Sequence, residues 1–121
     1  MTDALTIAQT YIATWNETDA TRRAALIGRD WAPTANYIDP LMAADGPEAL
    51  NGIIAAVQER FPGFVFSLLG KPDGFGDNVR FSWGLGIPDD EIIIEGTDFV
   101  RVENGLITGV TGFLDKVPAA A

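Results

Sequence analysis

Three side chains stand out as groups that could do chemistry: Asp98, Asp39 and Tyr11. Strand alternation over residues 92–102 puts Ile92, Ile94, Gly96, Asp98, Val100 and Val102 on one face, and Ile93, Glu95, Thr97, Phe99 and Arg101 on the other. Asp98 is thus a lone carboxyl in an apolar row, where burial favours the neutral acid and raises its pKa. A protonated carboxyl can donate a hydrogen bond to a developing oxyanion. The competing reading is a structural one, with Asp98 satisfied by a backbone amide or paired with Arg80.

Asp39 ends the apolar stretch Asn36-Tyr37-Ile38 and precedes Pro40. A residue before proline is pushed out of helical geometry, which could aim its carboxylate into a cavity as a general base. An ordinary Asp-Pro turn, with the side chain bonding its own backbone, explains the same spacing. Tyr11 lies one helical turn after Ile7 and one before Trp15, so its hydroxyl could reach a pocket from a core-facing stripe, or its ring could simply be core. The same choice applies to Trp15, Trp31, Phe81, Trp83 and Phe113, which are the expected pocket lining. Gly74 and Gly76 fail the G-x-G-x-x-G pattern and do not follow a βαβ order.

The burden falls on these residues because the usual machinery is missing. Among 121 residues there is no His and no Cys. Ser-His-Asp and Cys-His catalysis, disulfides, thiolate and imidazole metal sites are therefore excluded. Any metal would need an all-oxygen site, and no D-x-D-x-D-G loop is present; the expectation is no metal and no cofactor. Asp and Glu number 17 against 8 Lys and Arg, a formal charge of −9, which argues against nucleic acid and anionic membranes as partners. The start is polar and acidic, and no apolar run approaches the roughly 18 residues of a membrane span, so a cytoplasmic protein is expected. At 47% hydrophobic, the chain fits one domain over 1–121, with 118–121 a frayed tail.

The elements that must position the candidates follow from periodicity. Residues 3–17 read as an amphipathic helix on Leu5, Ala8, Ile12 and Trp15, with Thr2 as N-cap and Asp3 in the first turn. A short helix over 20–27 is capped by Thr18 or Asp19 and stopped by Gly28. A short strand covers 35–38. Asp45-Gly46-Pro47-Glu48 predicts a capping box with Asp45 as cap, opening a helix that runs to about Arg60 and ends at Phe61-Pro62-Gly63. Strands are expected over 64–70, 78–85, 92–102 and 106–114, with turns at 71–77 and 88–90 and a hairpin at Asn104-Gly105. Val79, Phe81, Trp83 and Leu85 share one face. The class is α+β: a bent, antiparallel sheet wrapped around three helices, whose remaining apolar face needs a pocket or a second subunit.

Several segments together resemble the nuclear-transport-factor-2-like superfamily, in particular its SnoaL-like and ketosteroid-isomerase-like branches. They are Tyr11-Ile12-Ala13-Thr14-Trp15-Asn16 with Asp19, Tyr37-Ile38-Asp39-Pro40, Gly46-Pro47-Glu48-Ala49-Leu50, Arg80-Phe81-Ser82-Trp83, Gly96-Thr97-Asp98-Phe99 and Glu103-Asn104-Gly105-Leu106-Ile107. The resemblance implies a cone with an internal apolar pocket, and a homodimer. It also implies roles: Asp39 resembles the base that moves a proton between carbons, and Tyr11 and a protonated Asp98 resemble the donors that bind the enolate oxygen, a pairing familiar from ketosteroid isomerase. Other branches fit less well. The dehydratases rely on His, and the Asp-Arg-Asp set of the epoxide hydrolases is replaced here by Trp83, Leu85 and Gly112. Polyketide cyclases remain open, although Gly112 and Phe113 leave no acid inside the last strand and Asp115 lies at its end. The expected function is a cofactor-independent isomerase or lyase acting on an apolar small molecule. The alternatives are a non-catalytic binder of an apolar ligand, an engineered proton-abstraction catalyst on this scaffold, or a protein-interaction module.

Overall fold

Asp3 opens the first helix, α1 (Ala4–Asn16), by accepting the Leu5 amide on its own carboxylate. In the computed structural model, which describes residues 3–118, Asp3 is the N-cap; Thr2, expected in that place, lies outside the described residues. Ala8, Tyr11 and Trp15 fall on one face at helical spacing and are buried. Asp19 caps α2 (Ala20–Asp30) through the Arg22 amide. This helix passes through Gly28 and stops only where Trp31 turns extended and begins β1 (Trp31–Ile38). Gly28 lacks the positive φ that would make it a helix stop.

A three-residue strand not expected from the sequence, β2 (Ala43–Asp45), pairs antiparallel with β1. It takes Asp45 into the sheet, opposite Asn36, so Asp45 cannot cap the next helix. Gly46, at φ +87°, takes that place, with Pro47 opening α3 (Pro47–Arg60) and no side-chain cap. The remaining strands are β3 (Val65–Phe75), β4 (Asn78–Gly86), β5 (Ile92–Glu103) and β6 (Leu106–Lys116). The expected turn at 71–77 is mostly strand. β3 continues through Pro72 by an irregularity between Leu69 and Asp73, which is tolerated because β3 is the sheet edge. The tight turn is confined to Gly76-Asp77.

The six strands run in the order β2-β1-β6-β5-β4-β3. The sheet is mixed rather than antiparallel, because β1 lies parallel to β6. The chain crosses from β1 to the far edge through α3 and returns by hairpins, and this order places the end of β1 beside the late strands. Asn104 and Gly105, both at positive φ, form the last hairpin.

One detail of that hairpin decides the site. Glu103 pairs with Leu106 and Val102 with Ile107, but Arg101 pairs with Gly109, so β6 carries an extra residue at Thr108. A simple hairpin would put Thr111 opposite Asp98; the bulge puts Gly112 there. Because strand side chains alternate, one extra residue reverses the faces beyond it. Ile107, Val110 and Gly112 are buried, whereas Thr111 and Phe113 are exposed. Phe113, expected in the pocket, is instead 53% exposed on the outer face against Phe99.

The sheet curls around α1. Asn16 clamps the edge by giving its Nδ2 to the Phe66 carbonyl and accepting the Phe66 amide. Behind it, the buried guanidinium of Arg23 donates to the Glu17 carbonyl, Asn51 Oδ1 and Gln58 Oε1, tying the three helices together. Among the described residues no helix is long and apolar enough to cross a membrane.

Candidate active site

Between α1, α3 and the concave face of the sheet lies a cavity of about 700 Å³, within the usual range for small-molecule sites. Tyr11 and Trp15 reach it from α1, Tyr37 and Asp39 from the end of β1, Trp83 and Leu85 from β4, Ile94 and Asp98 from β5, and Leu114 from β6. Arg60, Phe61, Leu41 and Met42 complete one side. All three residues with chemical potential in the sequence therefore border one space.

Tyr11 and Asp98 form the floor, at 3% and 2% exposure. The Tyr11 hydroxyl donates to Asp98 Oδ2 at 2.6 Å, and Trp83 Nε1 donates to Oδ1 at 3.1 Å. Burial pushes the Asp98 carboxyl up to about 6, against the opposing pull of the Tyr11 and Trp83 hydrogen bonds; the charges of Asp39 and Asp115 act with burial. Burial and the neighbouring Asp98 raise the Tyr11 phenol well above its ordinary value. The same physics raises Tyr37: burial first, then the Asp98 charge. Arg80 is not the partner of Asp98. It points outward, 3.7 Å from Asp73, with both groups exposed.

Asp39 keeps one foot in each of its two readings. Its Oδ1 accepts the backbone amides of Leu41 and Met42, both at 2.8 Å, as a turn residue would. Its Oδ2 accepts the Tyr37 hydroxyl at 2.5 Å, and the side chain lines the cavity. A carboxylate has about four lone-pair sites, so Oδ2 retains one that no donor among the described residues fills. The Asp98 carboxyl and the Asp39 Cβ both approach Gly112. A Cβ there would lie 2.8 Å from Asp98 Oδ1 and 3.3 Å from the Asp39 Cβ. Gly96 makes similar room, since its Cβ would fall 2.3 Å from Trp83 Cζ2; the indole that holds Asp98 rests on bare backbone.

Trp15 and Trp83 line the cavity, but Trp31, Phe81 and Phe113 do not. Trp31 and Phe81 are 2% exposed and pack on the Tyr11 ring, at 5.8 Å stacked and 5.0 Å edge-on. Their own strands place them deep in the core, where they fix the phenol instead of meeting a ligand. Phe113 is displaced by the bulge. Tyr37 was not singled out from the sequence, although its position two residues before Asp39 puts both side chains on one strand face. The Nε1–H groups of Trp15 and Trp31 are buried without a hydrogen-bond partner among the described residues.

A three-helix, mixed-sheet α+β cone with an apolar interior and carboxyl groups at its floor is the architecture of the nuclear-transport-factor-2-like proteins. Within them this chain belongs to the SnoaL-like family, whose domain model matches residues 8–110. A SnoaL-like protein from Agrobacterium tumefaciens C58, described as an inferred isomerase, is 48% identical, with a TM-score of 0.90 over 95% of this chain and 99% of that one. At the level of fold alone, the chain is similar to an inferred ketosteroid isomerase from Kribbella flavida (19% identical, TM-score 0.69, 96% and 80% covered). It is likewise similar in fold to an inferred SnoaL-like polyketide cyclase from Jannaschia (16%, TM-score 0.69, 90% and 85%). No functionally curated protein matches the chain.

Proposed function

We propose that this protein removes a proton from a carbon beside a carbonyl in an apolar small molecule, as a cofactor-independent isomerase or lyase. The free lone pair of Asp39 Oδ2 takes the proton, and the C–H electron pair moves into a carbon–carbon double bond as the carbonyl oxygen gains charge. Tyr11 and protonated Asp98 donate to that oxygen, the phenol turning its one O–H from Asp98 Oδ2 to the ligand on binding. Return of the proton to another carbon gives isomerisation; loss of a leaving group gives elimination. A positioned general base contributes about 10²–10⁴ in rate, and one oxyanion donor about 10²–10³.

The observation that supports this reading is that Tyr11, Asp98 and Asp39 border one apolar cavity, the first two joined at 2.6 Å at its floor. The test is deuterium exchange at the α-carbon of simple enolisable ketones such as 2-tetralone, followed by NMR. Asp39→Asn keeps the acceptor for the Leu41 and Met42 amides and should fold, but lose exchange by 10²-fold or more. Full exchange in that variant refutes the assignment. A second reading, binding of an apolar ligand without turnover, draws on the turn role of Asp39; it predicts ligand-induced thermal stabilisation, unchanged by Asp39→Asn, and no exchange.

We also propose that the chain pairs with a second copy through the outer face of β5 and β6. Phe99 and Phe113 stand there 45% and 53% exposed, edge to face at 5.7 Å, with Ile38 of β1 also exposed.

A further inference from the structure

The cavity has a polarity gradient from floor to mouth. Depth can be ranked by exposure: Tyr11 and Asp98 are almost fully covered, whereas Leu41 at 78% and Val117 at 57% mark the opening. Arg60 belongs to the mouth. It is the last residue of α3, it is exposed, and it is the one cation among the described lining residues. The ion pairs among the described residues are Arg22–Asp19, Arg29–Asp30, Arg80–Asp73 and Lys116–Glu95, so Arg60 has no carboxylate partner among the described residues. Its guanidinium instead lies 5.8 Å from the centroid of the Phe61 ring, itself a lining residue. The aromatic face holds the planar group without using its hydrogen-bond donors.

We infer that Arg60 recognises an anionic group, foremost a carboxylate, at the outer end of the ligand, so that the ligand class is an apolar carbonyl compound ending in a carboxylate. This rests on the reading of the cavity as a ligand site. A carbonyl placed at Tyr11 and Asp98 leaves an apolar body along Trp15, Phe66 and Leu85 and brings the far end to the mouth. There the chain's net charge of −9 would repel an anion unless a local cation receives it. Arginine's fork fits a carboxylate through two parallel hydrogen bonds. The alternative explanation of Arg60 is its favourable place at a helix C-terminus, which needs no ligand.

The probes are 6-hydroxy-2-naphthoate and its methyl ester, unreactive phenols of equal shape that differ in the outer charge. Fluorescence titration at pH 5.5, where Asp98 keeps its proton and the naphthoate is ionised, compares their dissociation constants for the full-length wild type, Arg60→Gln and Arg60→Lys. The expected result is a three- to tenfold preference for the carboxylate in wild type. It should be lost in Arg60→Gln, partly kept in Arg60→Lys, and weakened roughly twofold or more by 0.5 M salt. Equal binding of the two probes by wild type, binding of neither, or a preference that survives in Arg60→Gln overturns the inference. Tight ester binding without preference leaves the proposed reaction standing. Conversely, undiminished α-proton exchange in Asp39→Asn would remove the proposed reaction while leaving the Arg60 preference intact.

Discussion

Replacing Asp98 by Asn tests the central electrostatic claim, that the floor of the cavity desolvates a carboxyl. The folded protein holds the Asp98 proton up to about pH 6, against 3.8 for an ordinary aspartate, a difference of about two pH units. At about 1.4 kcal/mol per unit, that is on the order of 3 kcal/mol. The raised value means that the native state binds the proton more tightly than the unfolded chain. Its stabilising contribution is therefore complete below pH 3.8, declines by about 1.4 kcal/mol per pH unit as pH rises towards 6, and is gone above that. Asn carries no such term. Its oxygen can still accept the Trp83 indole N–H, and its amide can face the Tyr11 oxygen. Urea unfolding of both proteins at fixed concentration between pH 4 and pH 8 supplies the comparison, because carboxylates other than Asp39 and Asp115, whose charges act on Asp98, cancel in the difference. Wild type should lose about 2 kcal/mol relative to Asp98→Asn across that range, equivalent to a shift on the order of 10 °C in melting temperature. Parallel stability curves would mean that Asp98 titrates like a surface acid and would refute the desolvation argument.

Three further outcomes follow from the same geometry. If the oxyanion donor must be protonated, kcat/KM for an enolisable ketone falls as pH climbs through about 6, and Asp98→Asn flattens that limb; a wild-type profile level from pH 5 to pH 9 contradicts this. Gly96→Ala places a methyl group against the Trp83 ring and the Phe113 carbonyl, so it should cost about 1–3 kcal/mol and change the Trp near-ultraviolet circular dichroism. Phe113→Asp should convert a dimer to monomer in sedimentation velocity with the fold retained; an unchanged sedimentation coefficient removes the outer face of β5 and β6 as the interface.

What the sequence made legible were the features set by local alternation. Asp98 stood out because five of its strand-face neighbours carry either aliphatic side chains or none, and the structure buries it with three of them, Gly96, Val100 and Val102. The three helices and the late strands followed from period and turn chemistry. Features set by distant pairing were not legible. Nothing around Ala43–Asp45 marks a strand until β1 lies beside it. The parallel contact of β1 with β6 depends on the crossover rather than on either segment. Arg60 looked like any helix-terminal cation, and only the folded cavity gives it a position at a mouth. Trp31 and Phe81 had the right chemistry for a lining, but β1 and β4 place them one layer behind it, against Tyr11.

The extra residue at Thr108 reaches further than a local kink. It decides which half of the last strand is subtracted from the interior: with it, the space opposite Asp98 is left to a glycine; without it, Thr111 and Phe113 would turn inward and fill the floor between the two carboxylates. The vacancy in this cone is thus written as a length rather than as a choice of side chains. Deleting Thr108 is a one-residue change far from the floor, yet it would exchange the exposed aromatic patch for the hollow. In this scaffold, single-residue insertions and deletions in the last hairpin, more than substitutions in the lining, are the changes that can create or erase a site.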